Sequence, residues 1–267
     1  MAFSLTWLPD ALKIAGLKVS LVPGWENRGS GDVGRIFGVI CHHTGTRSTQ
    51  NMPTLDLLVR GRSDLSGPLA QLGLARDGTY FVIAAGRANH AGKGVWQGVK
   101  NGNSNFIGIE AENSGRTDDP WPRAQLEAYH HGVAAILRHV GQGADFCCGH
   151  KEYALPLGRK PDPGSIKMDD FRATVRAILG GTVPLPALIP AVEPAPATPG
   201  QAPRPTLRRG MNGELTKVVQ RKLGVTPISG NFGPKTEAAV RAFQRERGMT
   251  ADGIVGPKTW LELDKLP

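Results

Sequence analysis

His150, Lys151, Lys160 and Asp162 fall within a single stretch, Gly149 to Pro163, that glycine and proline break repeatedly. Backbone turns in such a loop can aim side chains from different positions at one point. Imidazole and carboxylate are metal ligands, and a lysine beside them is a fixed cation able to steady a developing oxyanion. A second histidine source, His42 and His43, closes the apolar run Ile36-Phe37-Gly38-Val39-Ile40-Cys41. The run reads as a buried strand, and the end of a strand is where a sheet delivers side chains to a cleft. Successive strand residues point to opposite faces, so one of the two histidines is the candidate ligand and the other packs or hydrogen-bonds. Two histidines and a carboxylate leave a coordination position open for water, as in catalytic zinc sites; the same set also suits non-haem iron. The lysine tips the chemistry towards hydrolysis.

A hydrolytic site also needs a base. Asn105-Phe106-Ile107-Gly108-Ile109-Glu110-Ala111-Glu112-Asn113 reads as a strand whose alternation sets Ile107, Ile109 and Ala111 against Gly108, Glu110 and Glu112. An acid in mid-strand among apolar neighbours is either paired with a nearby cation or tuned by partial burial to act as a general base, and Glu110 is the candidate. His90 lies in the glycine-rich loop Ala88-Asn89-His90-Ala91-Gly92-Lys93-Gly94, directly after an expected strand, from which it can reach a cleft. His130, His131 and His139 ride on an expected helix and read as surface or packing residues.

The elements that must position these groups are an N-terminal helix over 4–16, strands near 19–22 and 36–44, a helix over 52–60, strands over 69–74 and 79–84 joined at Arg76-Asp77-Gly78, the Glu110 strand, and amphipathic helices over 123–140 and 169–179. Residues 182–206 are dominated by proline and alanine, a composition that behaves as a semi-extended spacer. Beyond it Gly230-Asn231-Phe232-Gly233-Pro234-Lys235-Thr236 recurs as Gly253-Ile254-Val255-Gly256-Pro257-Lys258-Thr259, each copy placing proline at the start of a helix. The expected organisation is an α/β domain over 1–181 with a mixed central sheet flanked by helices, a linker over 182–206, and an all-α three-helix domain over 207–267.

A formal charge of +9 favours an anionic partner such as an acidic wall polymer, and the basic residues are scattered rather than interleaved with aromatics as in nucleic-acid readers. No stretch has transmembrane length or the form of a secretion signal, so synthesis in the cytoplasm and action after release are expected. Cys41, Cys147 and Cys148 cannot all pair, which fits a reducing compartment of synthesis.

Residues of about 30–180 resemble the zinc-dependent N-acetylmuramoyl-L-alanine amidases of the type 2 family, which share a fold with peptidoglycan recognition proteins. The resemblance rests on Val39-Ile40-Cys41-His42-His43-Thr44, Asn89-His90-Ala91-Gly92, Ile107-Gly108-Ile109-Glu110, and Gly149-His150 through Gly158-Arg159-Lys160-Pro161-Asp162-Pro163. Residues 207–266 resemble the type 1 peptidoglycan-binding domain, through Phe232-Gly233-Pro234 and Asp252-Gly253-Ile254-Val255-Gly256-Pro257-Lys258-Thr259-Trp260 among others. The pairing resembles a bacteriophage endolysin. It implies a zinc cofactor held by His42, His150 and Asp162, with Glu110 as general base and Lys160 stabilising the oxyanion. It further implies a substrate cleft bordered by His90, Asn89, His43 and Thr44, bacterial peptidoglycan as the partner, and a monomer. One departure is notable: the strand that carries an aromatic and a histidine in many relatives reads Pro68-Leu69-Ala70-Gln71-Leu72 here, which leaves base duty to Glu110. Rival readings are a non-catalytic muropeptide receptor on the same fold, a cytosolic amidase recycling soluble muropeptides, and a peptidase; the complete catalytic set argues against the first and the wall-binding module against the second.

Overall fold

The computed structural model describes residues 2–182, 206–249, 251 and 253–266. The chain divides into two compact units, Met1–Ile189 and Pro190–Pro267. Apart from Thr182 and Thr206, the linker assigned to 182–206 lies outside the described residues.

In the first unit α1 (Leu8–Ile14) leads to β1 (Val19–Leu21) and then β2 (Gly38–His43). Next come α2 (Leu55–Arg60), the small ribbon of β3 (Gly61–Arg62) with β4 (Leu65–Ser66), and the antiparallel pair β5 (Leu72–Leu74) and β6 (Tyr80–Val82). A single helical turn, α3 (Gly102–Asn105), precedes β7 (Phe106–Ala111); α4 (Arg123–His139), β8 (Cys147–Gly149), α5 (His150–Tyr153) and α6 (Met168–Leu179) complete the unit. The sheet is mixed, in the order β1-β6-β5-β7-β2-β8, and β5, β7, β2 and β8 run parallel to one another, so their carboxyl ends share one edge.

Sequence periodicity accounts for the layering. Tyr129, Val133, Ile136 and Leu137 are buried on α4, and Phe171, Val175 and Ile178 on α6, forming one apolar stripe each. These stripes join Val39, Cys41, Ile107, Ile109 and Ala111 in the main core, so the odd-numbered residues of β2 and β7 face the helices and the even-numbered ones face the opposite side. A smaller cluster of Met52, Leu58, Leu69, Ala75, Ile83 and Ala84 lies under α2. Cys41 and Cys147 face each other with their sulfurs 3.7 Å apart, and all three cysteines are buried free thiols that fill small core spaces.

The strand expected over 69–74 is ordered as a strand only from Leu72, because Gln71 turns its side chain into the ladder. Its Oε1 accepts the Gly108 amide at 2.8 Å and its Nε2 donates to the Gly86 carbonyl at 3.3 Å. His150 was expected in a loop and instead opens α5. Glu152 stabilises that turn by accepting the Gly149 amide at 2.8 Å, an N-terminal cap that a motif-level reading of a glycine-bounded stretch passes over.

The second unit contains α7 (Glu214–Lys222), α8 (Pro234–Glu246) and α9 (Pro257–Asp264) around Val219, Phe232, Val240, Phe243, Val255, Trp260 and Leu263. The sequence repeat is a repeat of hydrogen bonds. Gln220 accepts the Gly230 amide and donates to the Asn231 carbonyl and Thr236 hydroxyl; Gln244 treats Gly253, Ile254 and Thr259 the same way. Each buried amide thereby finds partners for both its ends.

Candidate metal centre and active site

Strand register brings the chemistry together. His42 on β2 pairs with Glu110 on β7, and Cys41 pairs with Gly149 on β8, so His42 lies between Glu110 and His150. From the helical layer, the Tyr129 hydroxyl accepts the His42 amide at 2.9 Å and lies 3.0 Å from the His42 carbonyl, fixing the backbone at the strand's end. Lys151 secures the remaining donor: its amide donates to the Asp162 carbonyl, and its ammonium group to the Pro163 and Ile166 carbonyls at 2.9 and 2.7 Å.

His42 Nδ1, His150 Nδ1 and Asp162 Oδ2 converge, at 3.1 Å between the imidazoles and 3.0 Å from each to the carboxylate. Their protonation follows from their outer partners. His150 Nε2 is 2.9 Å from the Ala91 carbonyl, and His90 Nε2 is 3.2 Å from the Phe106 carbonyl. A carbonyl only accepts, so both Nε2 atoms carry the proton. His90 Nδ1 is then bare and accepts from His42 Nε2 at 3.1 Å, which leaves His42 Nδ1 bare as well. These tautomers are assigned from the hydrogen-bond partners. Burial above all holds His42 down at about 4, so it is neutral at pH 7. The bare His42 Nδ1 thus meets His150 Nδ1 and the Asp162 carboxylate at one point, an arrangement that a cation reconciles. The trio could hold a metal ion, and its donor set fits a divalent transition metal with room for a further ligand.

Glu110 stands beside the trio, its Oε1 4.0 Å from His42 Nδ1 and its buried Oε2 without a hydrogen-bond partner. Burial first, and the Asp162 charge second, push its carboxyl up to about 8, with Lys160 opposing. Lys160 makes no side-chain hydrogen bond among the described residues, and its positive charge acts on both Glu110 and His42. A cation at the three donors would draw Glu110 back down.

The remaining sequence candidates are less uniform. His90 is 7% exposed and spends both ring nitrogens on His42 and the Phe106 carbonyl, so it orients the candidate ligand His42. Gly108 permits this: a Cβ there would come within 2.5 Å of the His90 ring. Asn89 donates to the Ser66 carbonyl, and Thr44 donates to Glu112. His43, on the opposite face of β2, accepts the Gly164 amide at 2.8 Å and packs on Gly115, steadying the loop that follows Asp162. Tyr129 and Glu152 were not singled out from sequence, and Lys151 was read only as a loop cation, because a hydroxyl on an apolar helix face and charged residues in a loop carry no signal of the partners they meet. Arg172 adds to this support from α6, pairing with Glu152 at 2.9 Å.

A family model described as N-acetylmuramoyl-L-alanine amidase matches residues 32–165, a span that includes His42, Glu110, His150, Lys160 and Asp162. The chain belongs to the N-acetylmuramoyl-L-alanine amidase family. A peptidoglycan binding domain model matches residues 214–263 of the second unit. An uncharacterized protein in the bpoA1 3′ region of Kitasatospora aureofaciens is 42% identical over 66 residues, covering 22% of this chain and 56% of that protein. The zinc D-Ala-D-Ala carboxypeptidase of Streptomyces albus G is 40% identical over 68 residues, covering 23% of this chain and 27% of its own. The chain therefore spans about half and about a quarter of the lengths of these two curated relatives. Among solved structures, the selenomethionine derivative of AmpD aligns with TM-score 0.46 and 23% identity over 65% of this chain and 99% of that one. The mixed sheet with flanking helices and the helical second unit agree with the fold class expected from sequence.

Within this amidase unit, His90 is expected to govern metal retention more than substrate contact. His90→Phe should weaken metal affinity by about 10–100-fold, the usual cost of removing a group that orients a ligand histidine. Competition with a chromogenic chelator measures it; unchanged affinity would return His90 to the role of cleft residue.

Proposed function

We propose that the chain is a zinc-dependent peptidoglycan hydrolase that cleaves the amide between N-acetylmuramic acid and the L-alanine of the stem peptide. The observation that supports it most directly is the convergence of three potential metal-ligand atoms, from His42, His150 and Asp162, beside the unpartnered carboxyl oxygen of Glu110. Zinc held by those three residues would supply a Lewis acid that polarises the scissile carbonyl and acidifies water. Glu110 takes the proton of the attacking water and returns it to the leaving L-alanine nitrogen, so the amide bond breaks to a muramoyl carboxylate and a free amine. The Lys160 ammonium group stabilises the negative charge that develops on the carbonyl oxygen. Tyr129, Lys151 and His90 hold the ligands in place and contact no substrate.

The second unit, in this reading, keeps the enzyme on an insoluble wall and raises the local substrate concentration. Deleting residues 182–267 is expected to cut wall binding by at least tenfold in a pelleting assay and to change hydrolysis of a soluble muropeptide by less than threefold, of the order expected when one of two linked modules is lost. Equal loss on both substrates would sink the two-module account. No helix among the described residues is long and apolar enough to cross a membrane. We place the site of action at the bacterial wall, reached after release from the compartment of synthesis.

The decisive experiment is mass spectrometry of purified peptidoglycan digested with and without a chelator, followed by zinc re-addition. Stem peptides with a new N-terminal L-alanine, lost on chelation and restored by zinc, are the expected products. Intact wall with retained binding would instead mean a receptor, and cuts within the stem a peptidase.

A further inference from the structure

Glu112 lies one residue past the end of β7 and two beyond Glu110, which by alternation puts it on the same side; its amide donates to the Leu74 carbonyl at 2.9 Å and its side chain is fully buried. Its carboxyl group meets no cation among the described residues. Instead each oxygen accepts one threonine hydroxyl: Thr44 donates to Oε1 at 3.0 Å and Thr54 to Oε2 at 2.6 Å. Burying a carboxyl group on hydroxyl donors alone is unfavourable compared with an apolar side chain of similar size, so packing does not explain it. What the two threonines have in common does. Thr44 leaves the end of β2, two residues after the metal ligand His42, and Thr54 immediately precedes α2, so a single carboxyl group holds both ends of the 45–53 loop.

The loop runs along the carboxyl edge of the sheet beside the metal centre. The Thr44 and Gly45 amides donate to the Ala111 and Asn113 carbonyls at the end of β7. Farther on, Arg47 pairs with Asp118 and the Asn51 side chain accepts the Asp77 amide, carrying the loop across to the β5–β6 turn. Met52 then takes left-handed backbone, φ 48°, and buries its side chain against Gly73. Between these anchors Gly45, Arg47, Thr49 and Gln50 remain exposed beside the site.

We propose that Glu112 is a positioning residue whose two-threonine clamp holds the 45–53 loop as a wall of the substrate cleft alongside Glu110, so that it governs substrate affinity without touching the reacting atoms. The proposal rests on the amidase reading for the identity of that substrate.

Thr54→Val removes one half of the clamp at the α2 end, away from the strands, and Glu112→Gln tests the carboxyl group itself. Both are made in the full, zinc-loaded chain. Two readouts apply: the rate of trypsin cleavage after Arg47, followed by mass spectrometry, and kcat and KM on a soluble muropeptide. The expected result for either variant is cleavage after Arg47 at least tenfold faster, KM raised about fivefold or more, and kcat within twofold of the parent. Unchanged cleavage, or a fall in kcat at constant KM, overturns the clamp. If the parent chain leaves the muropeptide intact, the amidase reading fails instead, and the clamp is judged on proteolysis together with the muropeptide Kd by calorimetry, where an unaltered Kd overturns it.

Discussion

Glu110→Gln is expected to lower kcat on a soluble muropeptide by about 10²–10⁴-fold, the range for losing a positioned general base, while zinc affinity stays within a few-fold of the parent. Glutamine keeps the shape and burial of the side chain, and Glu110 lies 4.0 Å from the nearest ligand nitrogen, outside the trio itself. Loss of metal in this variant would make Glu110 a ligand. The same residue sets the sign of a pH effect. A base must be deprotonated, so activity falls as pH drops through the Glu110 pKa, and this acidic limb of kcat/KM disappears in the glutamine variant. In the metal-free protein the carboxyl group titrates near 8, against an ordinary value of 4.5. Between those values the folded state holds a proton that the unfolded state has released, so stability falls as pH rises through that window. Denaturant melts of metal-free parent and variant check this: the parent should lose stability between those limits, by an amount on the order of a few kcal/mol, and the variant should not.

His150→Ala is the second large effect. Removing one of three donors leaves His42 Nδ1 and Asp162 Oδ2, which at 3.0 Å can settle as an ordinary hydrogen bond once His42 takes up a proton. The variant is expected to lose turnover below detection and to lose the stabilisation that metal gives the parent. Metal at a thousandfold excess over its Kd stabilises by about 4.1 kcal/mol, or roughly 8–16 °C in Tm for a domain of this size. A thermal melt with and without added zinc reads the difference. A variant that still gains several degrees from zinc would remove His150 from the ligand set.

The strands of His42 and Glu110 and the helices α4 and α6 could be read from the sequence because their signal is local: apolar runs, alternation, a 3.6-residue stripe. The second unit was readable from its repeat. Register was not. Alternation puts Glu110 and Glu112 on the same face and cannot say which one stands beside the candidate metal ligands; only the pairing of His42 with Glu110 separates them. The choice between His42 and His43 had the same limit, since face is fixed by alternation but the face that carries the site is fixed by where α4 packs. His90 was read as bordering a cleft, and its engagement with His42 depends on a loop crossing over Gly108 that no local pattern encodes. The single turn of α5 and the support from Tyr129, Lys151 and Arg172 are likewise products of tertiary contact.

The parallel register that seats His42 between Glu110 and His150 has a consequence for how the protein comes to be active. His42 and Asp162 are 120 positions apart in the chain, and His42 and His150 are 108. Closing such long separations is entropically slow and rewarded only once the central strands are paired. Neither a nascent chain that has yet to extend past Asp162 nor a collapsed intermediate with a slipped strand can present the complete trio. With these three residues as the proposed ligands, tight metal binding would arrive late in folding and all at once, and metal uptake during refolding would be a direct clock for completion of the sheet.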